Sequence, residues 1–388
     1  MLEIAERLDD HKQLPEIFHG LGSEPENQCH SKKLTHNDYA VGWICALFEE
    51  QTAATAMLDQ EHPDLPTPPD DPNTYTLGSI GEHNVVIACL PEGRMGNNVA
   101  ATFATQMART FPSIRIRLIV GIGGGIPSKV KLGDVVISIP VDQYPGVVQW
   151  DLGKAEGGGK FRRTGALNSP PSVLLTAAAK VRTRNRLKKH TFLPQYLEEM
   201  GKNWPDLVPQ YIEPPSSGLA NSQEEVKMPR SVIYVIWDII LALFGYLLGW
   251  QILAPVDGGR ELVRLAQTPK QQGAVEVHCG LIASGNQVIK DAKVRDGINE
   301  HLGGKVLCVE MEAAGLMNDF PCIVIRGICN YADKWKNDEW QPYAAAVAAA
   351  CAKAVLKYVQ PSHVAGEHPL RDILSQEQKL KFKNELQI

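Results

Sequence analysis

The chain has 388 residues, 44% of them hydrophobic, enough for one large domain or two ordinary ones with a substantial core. A formal net charge of −5 argues against a general nucleic-acid binder, whose domain is usually basic. The eight cysteines form no C-x-x-C pair and no zinc-like spacing to histidine, and the N-terminus lacks a signal-peptide apolar core. Reduced thiols, a cytoplasmic location and no bound metal are the expectation.

In chain order, residues 1–37 are polar without sustained periodicity and read as an extension. The fold begins near Tyr39: YAVGWICAL is rich in strand formers, and EEQTAATAMLDQ favours a helix. After a proline-rich acidic loop, TYTLGSIGEHNVVIACL places two apolar runs around a glycine turn, the pattern of a hairpin. A helix (NNVAATFATQMARTF), a strand into a glycine loop (IRIRLIVGIGGGIP), a strand (DVVIS) and a helix (SVLLTAAAKVR) follow. The basic run KVRTRNRLKKH, residues 180–190, reads as the solvated end of that helix, where cations suit the dipole. Further on, the alternation resumes with VEVHCGLIAS, VIKDAKVRDGINEHL, KVLCVEME, AAGLMNDF, CIVIRGICN and AAAVAAACAKAVLKYV. Strands alternating with helices predict an α/β sheet covered on both faces.

The stretch 213–258 interrupts this order. Its run VIYVIWDIILALFGYLLGWQILAPV, residues 232–256, is long enough to cross a bilayer and carries one charge, Asp238. Lys227 and Arg230 precede it and Arg260 follows, so flanking charge gives no orientation. A span would also force one sheet to assemble from both sides of a membrane. An added amphipathic or buried helix, or an imperfect gene model, is preferred to membrane association.

Two places can carry chemistry. In CVEMEAAGL, residues 308–316, Glu310 and Glu312 point to one side if the segment is extended. Carboxylates among apolar neighbours need donors that this stretch does not supply, and a ligand is one source of them. The cluster Gly121, Gly123, Gly124 and Gly125 follows an apolar strand, where glycines permit positive φ and close backbone approach to an oxygen-rich ligand. It matches neither G-x-G-x-x-G nor the P-loop, and neither G-x-S-x-G nor H-E-x-x-H occurs.

Taken together, ICALFEE, VGIGGGIPSKVKLGDVVIS, LIASGNQVIKD and VEMEAAG followed by IRGICNYAD resemble, in this order, the purine nucleoside phosphorylase/uridine phosphorylase superfamily. The resemblance is strongest to the nucleoside-phosphorylase-like domains of fungal ankyrin and NACHT-type proteins and to methylthioadenosine/S-adenosylhomocysteine nucleosidases. It implies one domain over 38–360, interrupted by 213–258, with a tail over 361–388. It also implies a three-layer α/β/α sandwich around a central mixed sheet, a nucleoside cleft, no cofactor and a homo-oligomer. By the same resemblance, Glu50 orients the attacking water and Glu312 accepts hydrogen bonds from the sugar diol. Met311 packs on the ribose with Glu310 beside it, and Val288 and Ile289 line the base. The glycine loop faces the sugar and any phosphate, and Arg326 lies just before the leaving-group site.

One position departs from the pattern. The family places Asp at the third residue of I-C-D-Y-A-D, whereas this chain has Asn330 in ICNYAD. An amide donates a hydrogen bond but transfers no proton, although its paired donor and acceptor suit a 6-oxopurine. Where phosphorylases of the superfamily hold phosphate with Arg and Ser, this chain has Ile119 and Ile122, which favours water as nucleophile. The expected function is cleavage of a purine nucleoside or nucleotide at its N-glycosidic bond. The alternative is a nucleoside-binding signalling module with weak or no turnover.

Overall fold

The computed structural model describes residues 33–215, 274–369 and 372. All the elements below belong to the compact unit that begins at Thr35. The apolar run 232–256 lies outside the described residues. Among the described residues, no helix is long and apolar enough to cross a membrane.

The first half runs β1 (Val41–Cys45), α1 (Phe48–Ala56), β2 (Gln60–Glu61), β3 (Tyr75–Ile80), β4 (His83–Cys89), α2 (Asn97–Thr110), β5 (Ile116–Gly125) and β6 (Val135–Ser138). Then come β7 (Val147–Gln149), β8 (Gly153–Glu156), β9 (Lys160–Arg163), α3 (Ser172–Leu187) and α4 (Pro194–Asn203). The second half supplies β10 (Val277–Ser284), α5 (Ala292–His301), β11 (Val306–Glu310), β12 (Ile323–Asn330), α6 (Gln341–Leu356) and α7 (Pro361–Gly366).

The main sheet is mixed, in the order β11-β10-β6-β12-β5-β1-β4-β3-β2, with β7 also beside β10. The predicted hairpin is the antiparallel pair β3–β4, whose register runs from Tyr75–Ala88 to Ile80–His83. β5 pairs in parallel with β1 and β12, and its last two residues turn to meet β11 in antiparallel fashion, Gly124 with Val309 and Gly125 with Cys308. That last pairing closes β11-β10-β6-β12-β5 into a ring, and it brings Glu310, the last residue of β11, to the glycine end of β5.

Alternation along β1 sends Val41, Trp43 and Cys45 into the core cluster shared with α1 and α6. Gly42 faces the other way, toward Met107 of α2 and Ile114. Helix α6 is buried along nearly its whole length, as its alanine content allows. It approaches β12 so closely that a Cβ on Gly327 would stand 1.9 Å from the Ala344 carbonyl oxygen. The basic residues Arg182, Arg184, Arg186, Lys188 and Lys189 are exposed at the end of α3, as expected of a solvated helix terminus.

Two expectations change. AAGLMNDF forms no long helix but a single 3-10 turn, Ala313–Gly315, because the chain is tethered there. The Gly315 N–H donates to Asn97 Oδ1, and a Cβ on Gly315 would lie 2.0 Å from the Asn97 carbonyl oxygen. The glycine cluster is not a loop either: Gly121, Gly123, Gly124 and Gly125 all lie within β5, and none has positive φ. They are needed for close approach instead. A Cβ on Gly121 would stand 2.2 Å from Glu50 Oε1, and one on Gly124 would stand 2.8 Å from the Ala332 Cβ.

Candidate functional site

Arg326 stands at the centre of the site. It projects from β12 beside Gly121, its parallel partner on β5, and is 1% exposed. Its Nη2 donates to Glu310 Oε2 at 2.5 Å and to Glu312 Oε2 at 3.2 Å, and its Nη1 donates to the Ile122 carbonyl at 3.4 Å and lies 3.9 Å from Glu50 Oε1. The early acid and the late pair therefore meet at one guanidinium, although more than 250 residues separate them in the chain.

Glu50 sits in the first turn of α1, where a carboxylate is favoured by the helix dipole. It accepts the N–H groups of Ala46 (2.6 Å), Leu47 (3.2 Å) and Ile122 (2.8 Å). The Ile122 bond reaches across to β5, and the absence of a side chain at Gly121 leaves room for the carboxylate.

Glu310 and Glu312 do share a side, but not by strand alternation. β11 ends at Glu310, and the chain bends so that Glu312 has φ −117° and ψ −35°. The expectation that this stretch does not itself supply the pair's donors is also corrected for Glu310. Its carboxylate accepts from Arg326 and from the N–H groups of Glu312 and Ala313, so its bonding capacity is met within the fold. Glu312 pairs with Arg326 and is also favoured by the Met311 backbone N–H, which leaves it accepting capacity to spare.

Three carboxylates facing one cation leave an excess of buried negative charge. Burial raises the pKa of Glu50, opposed by Arg326 and by the three backbone donors. Burial, with the charges of Glu310 and Glu50 added and that of Arg326 opposing, pushes Glu312 up to about 7. Burial works against the Arg326 cation, but the three acids outweigh it and hold the guanidinium protonated. The site thus presents an acid that titrates near neutrality together with a negative field that favours a developing cation.

Asn330 ends β12 and is 8% exposed. Its Oδ1 accepts the Ala332 N–H at 2.9 Å, supporting Ala332 at φ 51°, and its Nδ2 donates to Cys329 Sγ at 3.1 Å. The neighbouring carboxylate of Asp333 does not take its place. It accepts the Trp335 N–H and lies 3.9 Å from Arg295. Val288 is 48% exposed, whereas Ile289 is buried in the cluster that includes Ile126, Val309 and Ala332, so the two base-lining candidates differ in setting. Met311 lies in the bend between the two glutamates.

Residues that the motif reading passed over hold this arrangement together. Ser284 Oγ accepts the Ala314 N–H at 2.9 Å and donates to Asn97 Oδ1. Asn286 Oδ1 accepts the Asn97 N–H and its own N–H is held by Asp151. The SGN of LIASGNQVIKD was the available signal, since buried polar side chains beside a bend need partners. An open cavity of about 550 Å³, lined by Cys89, Arg94, Asn98 and Phe103 among others, opens at the end of β4. The Cys89 thiol there is pushed up to about 12 by burial and by Glu50.

Residues 226–360 match the phosphorylase superfamily. The chain is 46% identical over 334 residues to a nucleotide-binding leucine-rich repeat (NLR)-like protein of Hyaloscypha variabilis, a match spanning 84% of this chain and 30% of that protein. It is 30% identical over 119 residues to the 5′-methylthioadenosine/S-adenosylhomocysteine nucleosidase of Haemophilus ducreyi, covering 28% of this chain and 51% of that enzyme. The chain therefore spans under a third of the first relative and about half of the second. Among solved structures, futalosine hydrolase of Helicobacter pylori shares the fold with a TM-score of 0.50 at 15% identity, over 83% of this chain and 99% of that one. A point mutant of the H. pylori nucleosidase MTAN, solved with 5′-methylthioadenosine in its active site, also aligns with a TM-score of 0.50 at 15% identity, over 82% of this chain and 98% of that one. With its mixed sheet and its ordered motifs, the chain has the fold of these nucleosidases, and over residues 226–360 it is similar to the phosphorylase superfamily.

Proposed function

We propose that this chain cleaves the N-glycosidic bond of a purine nucleoside or nucleotide, with water as the nucleophile. The observation that carries the reading is the convergence of Glu50 and Glu312 on Arg326 beside Gly121. Had the two acids opened onto different places, one sugar could not lie between them.

In this reading the sugar diol donates to Glu312, which has accepting capacity left, while Met311 packs on the ribose. Glu310 is a positioning residue. Its bonds to Arg326 and to the N–H groups of Glu312 and Ala313 fix the bend that presents Glu312. Glu50 orients water and takes its proton. As the C1′–N9 bond lengthens, positive charge grows on the sugar, where the surplus of buried carboxylate stabilises it, and the bonding pair leaves on the purine, which takes its proton from solvent because the Asn330 amide has none to give. Val288 and Ile289 border the base, and Asn330 contacts it through its amide. The backbone of Gly121, Gly123, Gly124 and Gly125 borders the sugar. Ile119 and Ile122 offer no side-chain anion contact where a phosphorylase needs one. Arg94 in the cavity beside Cys89 is a cation available to a 5′ phosphate, so nucleotides belong in the test.

The test is release of free base from inosine, adenosine and ATP, with and without inorganic phosphate. Release independent of phosphate is expected, and strict phosphate dependence overturns the hydrolytic choice. A second reading, a nucleoside-binding signalling module with little turnover, is favoured by one observation: Asn330 carries no transferable proton and its oxygen is engaged by the Ala332 N–H. Calorimetric binding of a nucleoside without base release selects that reading.

A further inference from the structure

A second group of ligating side chains gathers where β6 and β10 begin. Asp134 immediately precedes β6, and Glu276 and His278 lie two apart at the start of β10, so their side chains leave the same face. The parallel register, Val135 with Val277, brings the three together. One carboxylate oxygen from each acid and a ring nitrogen of His278 all lie within 4.8 Å of one another, and Nε2 is 2.9 Å from Asp134 Oδ2.

The cluster is built as a ligand set is built. A tetrahedral ion with bonds of about 2.0–2.2 Å separates its ligand atoms by about 3.3–3.6 Å, so closure needs side-chain shifts of about 1 Å. Asp134 is already oriented, because Oδ1 accepts the Glu276 N–H and Oδ2 accepts the Lys131 N–H, the kind of outer hydrogen bonds that fix ligating carboxylates. Among the described residues the Glu276 carboxylate has no hydrogen-bond or ion-pair partner, yet it stands beside a second carboxylate. A divalent cation held between them is attracted to both carboxylates. The backbone ties the cluster to β12 as well, since the Ile328 N–H donates to the Asp134 carbonyl and the Gly133 N–H donates to the Ile328 carbonyl.

We propose that Asp134, Glu276 and His278 are the ligands of a divalent transition-metal site, with Zn²⁺ the ion that their mixed nitrogen and oxygen donors fit. His278 binds as neutral imidazole, its Nε2 lone pair on the ion and its proton on Nδ1, and water completes the coordination. The site is independent of the glycosidase reading, because its three residues stand where β6 and β10 begin, whereas Glu50 lies on α1, Glu312 beyond β11 and Arg326 on β12.

The experiment is calorimetric titration of the chelator-treated 388-residue chain with ZnCl₂, alongside His278→Ala and Glu276→Gln. One equivalent is expected to bind the parent, and each variant is expected to bind at least ~10-fold more weakly. Glu276 is half-buried and its change to Gln is isosteric, which keeps the test decisive should His278→Ala fail to fold. Co²⁺ in place of Zn²⁺ is expected to show visible bands without a thiolate charge-transfer band, separating this site from one built on cysteine. Absence of binding to the parent, affinity unchanged in Glu276→Gln, or a thiolate band each overturns the proposal. The first of these outcomes leaves His278 and Asp134 as a hydrogen bond joining β6 to β10.

Discussion

Replacing Glu312 by Gln tests the electrostatics of the site through stability as well as turnover. The carboxyl titrates near 7 in the folded chain against an ordinary value of 4.5. A raised carboxyl binds its proton more tightly when folded, so its stabilising contribution is complete below about pH 4.5. That contribution is lost as pH rises toward 7. From pH 5 to pH 8 the loss is roughly 2–3 kcal/mol. Glutamine keeps an oxygen that can accept from Arg326 and never ionises, so the variant escapes that loss. With an unfolding entropy of ~2.1 cal/mol/K per residue over the chain, the Tm of Glu312→Gln relative to the parent is expected to rise by ~3 °C between pH 5 and pH 8. Differential scanning calorimetry at the two pH values reads this directly, and base release in the same preparations is expected to fall by at least ~100-fold with the lost sugar contact. If the difference in Tm between parent and variant does not change with pH, Glu312 is an ordinary carboxylate and the picture of surplus buried charge is wrong.

Arg326→Met leaves three buried acids without their cation and is expected to cost about 3–5 kcal/mol, read as a lowered denaturation midpoint. Gly121→Ala places a Cβ 2.2 Å from Glu50 Oε1 and 2.6 Å from Arg326 Nη1, and is expected to cost about 1–3 kcal/mol along with most of the base release. Gly157→Ala, which meets nothing within 4 Å, is the matched control and should melt like the parent. Asn330→Asp retains an acceptor for the Ala332 N–H and adds a carboxyl. If the site lacks only its acid, steady-state release of adenine is expected to rise by roughly 10²–10⁴-fold, and an unchanged rate removes Asn330 from the base site.

Much of the architecture was legible along the chain. The β3–β4 hairpin followed from two apolar runs around a glycine turn, β1 and α1 from strand formers giving way to alanine and glutamate, and α6 from its alanine run. Each is a local pattern of period or propensity, which neighbouring residues carry among themselves. Ordered motifs also singled out Glu50, Glu310, Glu312, Arg326 and Asn330. The length of the helix after Glu312 was not legible, nor was the hairpin β8–β9, whose short strands GKAE and KFRR carry little apolar alternation.

What the chain order could not disclose was why the glycines of β5 are glycines. The reason is not a turn but close neighbours: the Glu50 carboxylate at Gly121, the Val309 carbonyl at Gly123, the Ala332 methyl at Gly124 and the Val130 and Ile328 side chains at Gly125. Nor could it show that Glu310 is satisfied by Arg326 and two backbone donors while Glu312 keeps accepting capacity free. Residue types and their periodicity told which segments become strands and helices and which side chains have chemistry to offer. The burial, partners and proton affinity of those side chains depend on groups that only the closed β11–β5 pairing brings within reach, because desolvation and Coulomb energy follow distance in space rather than separation along the backbone.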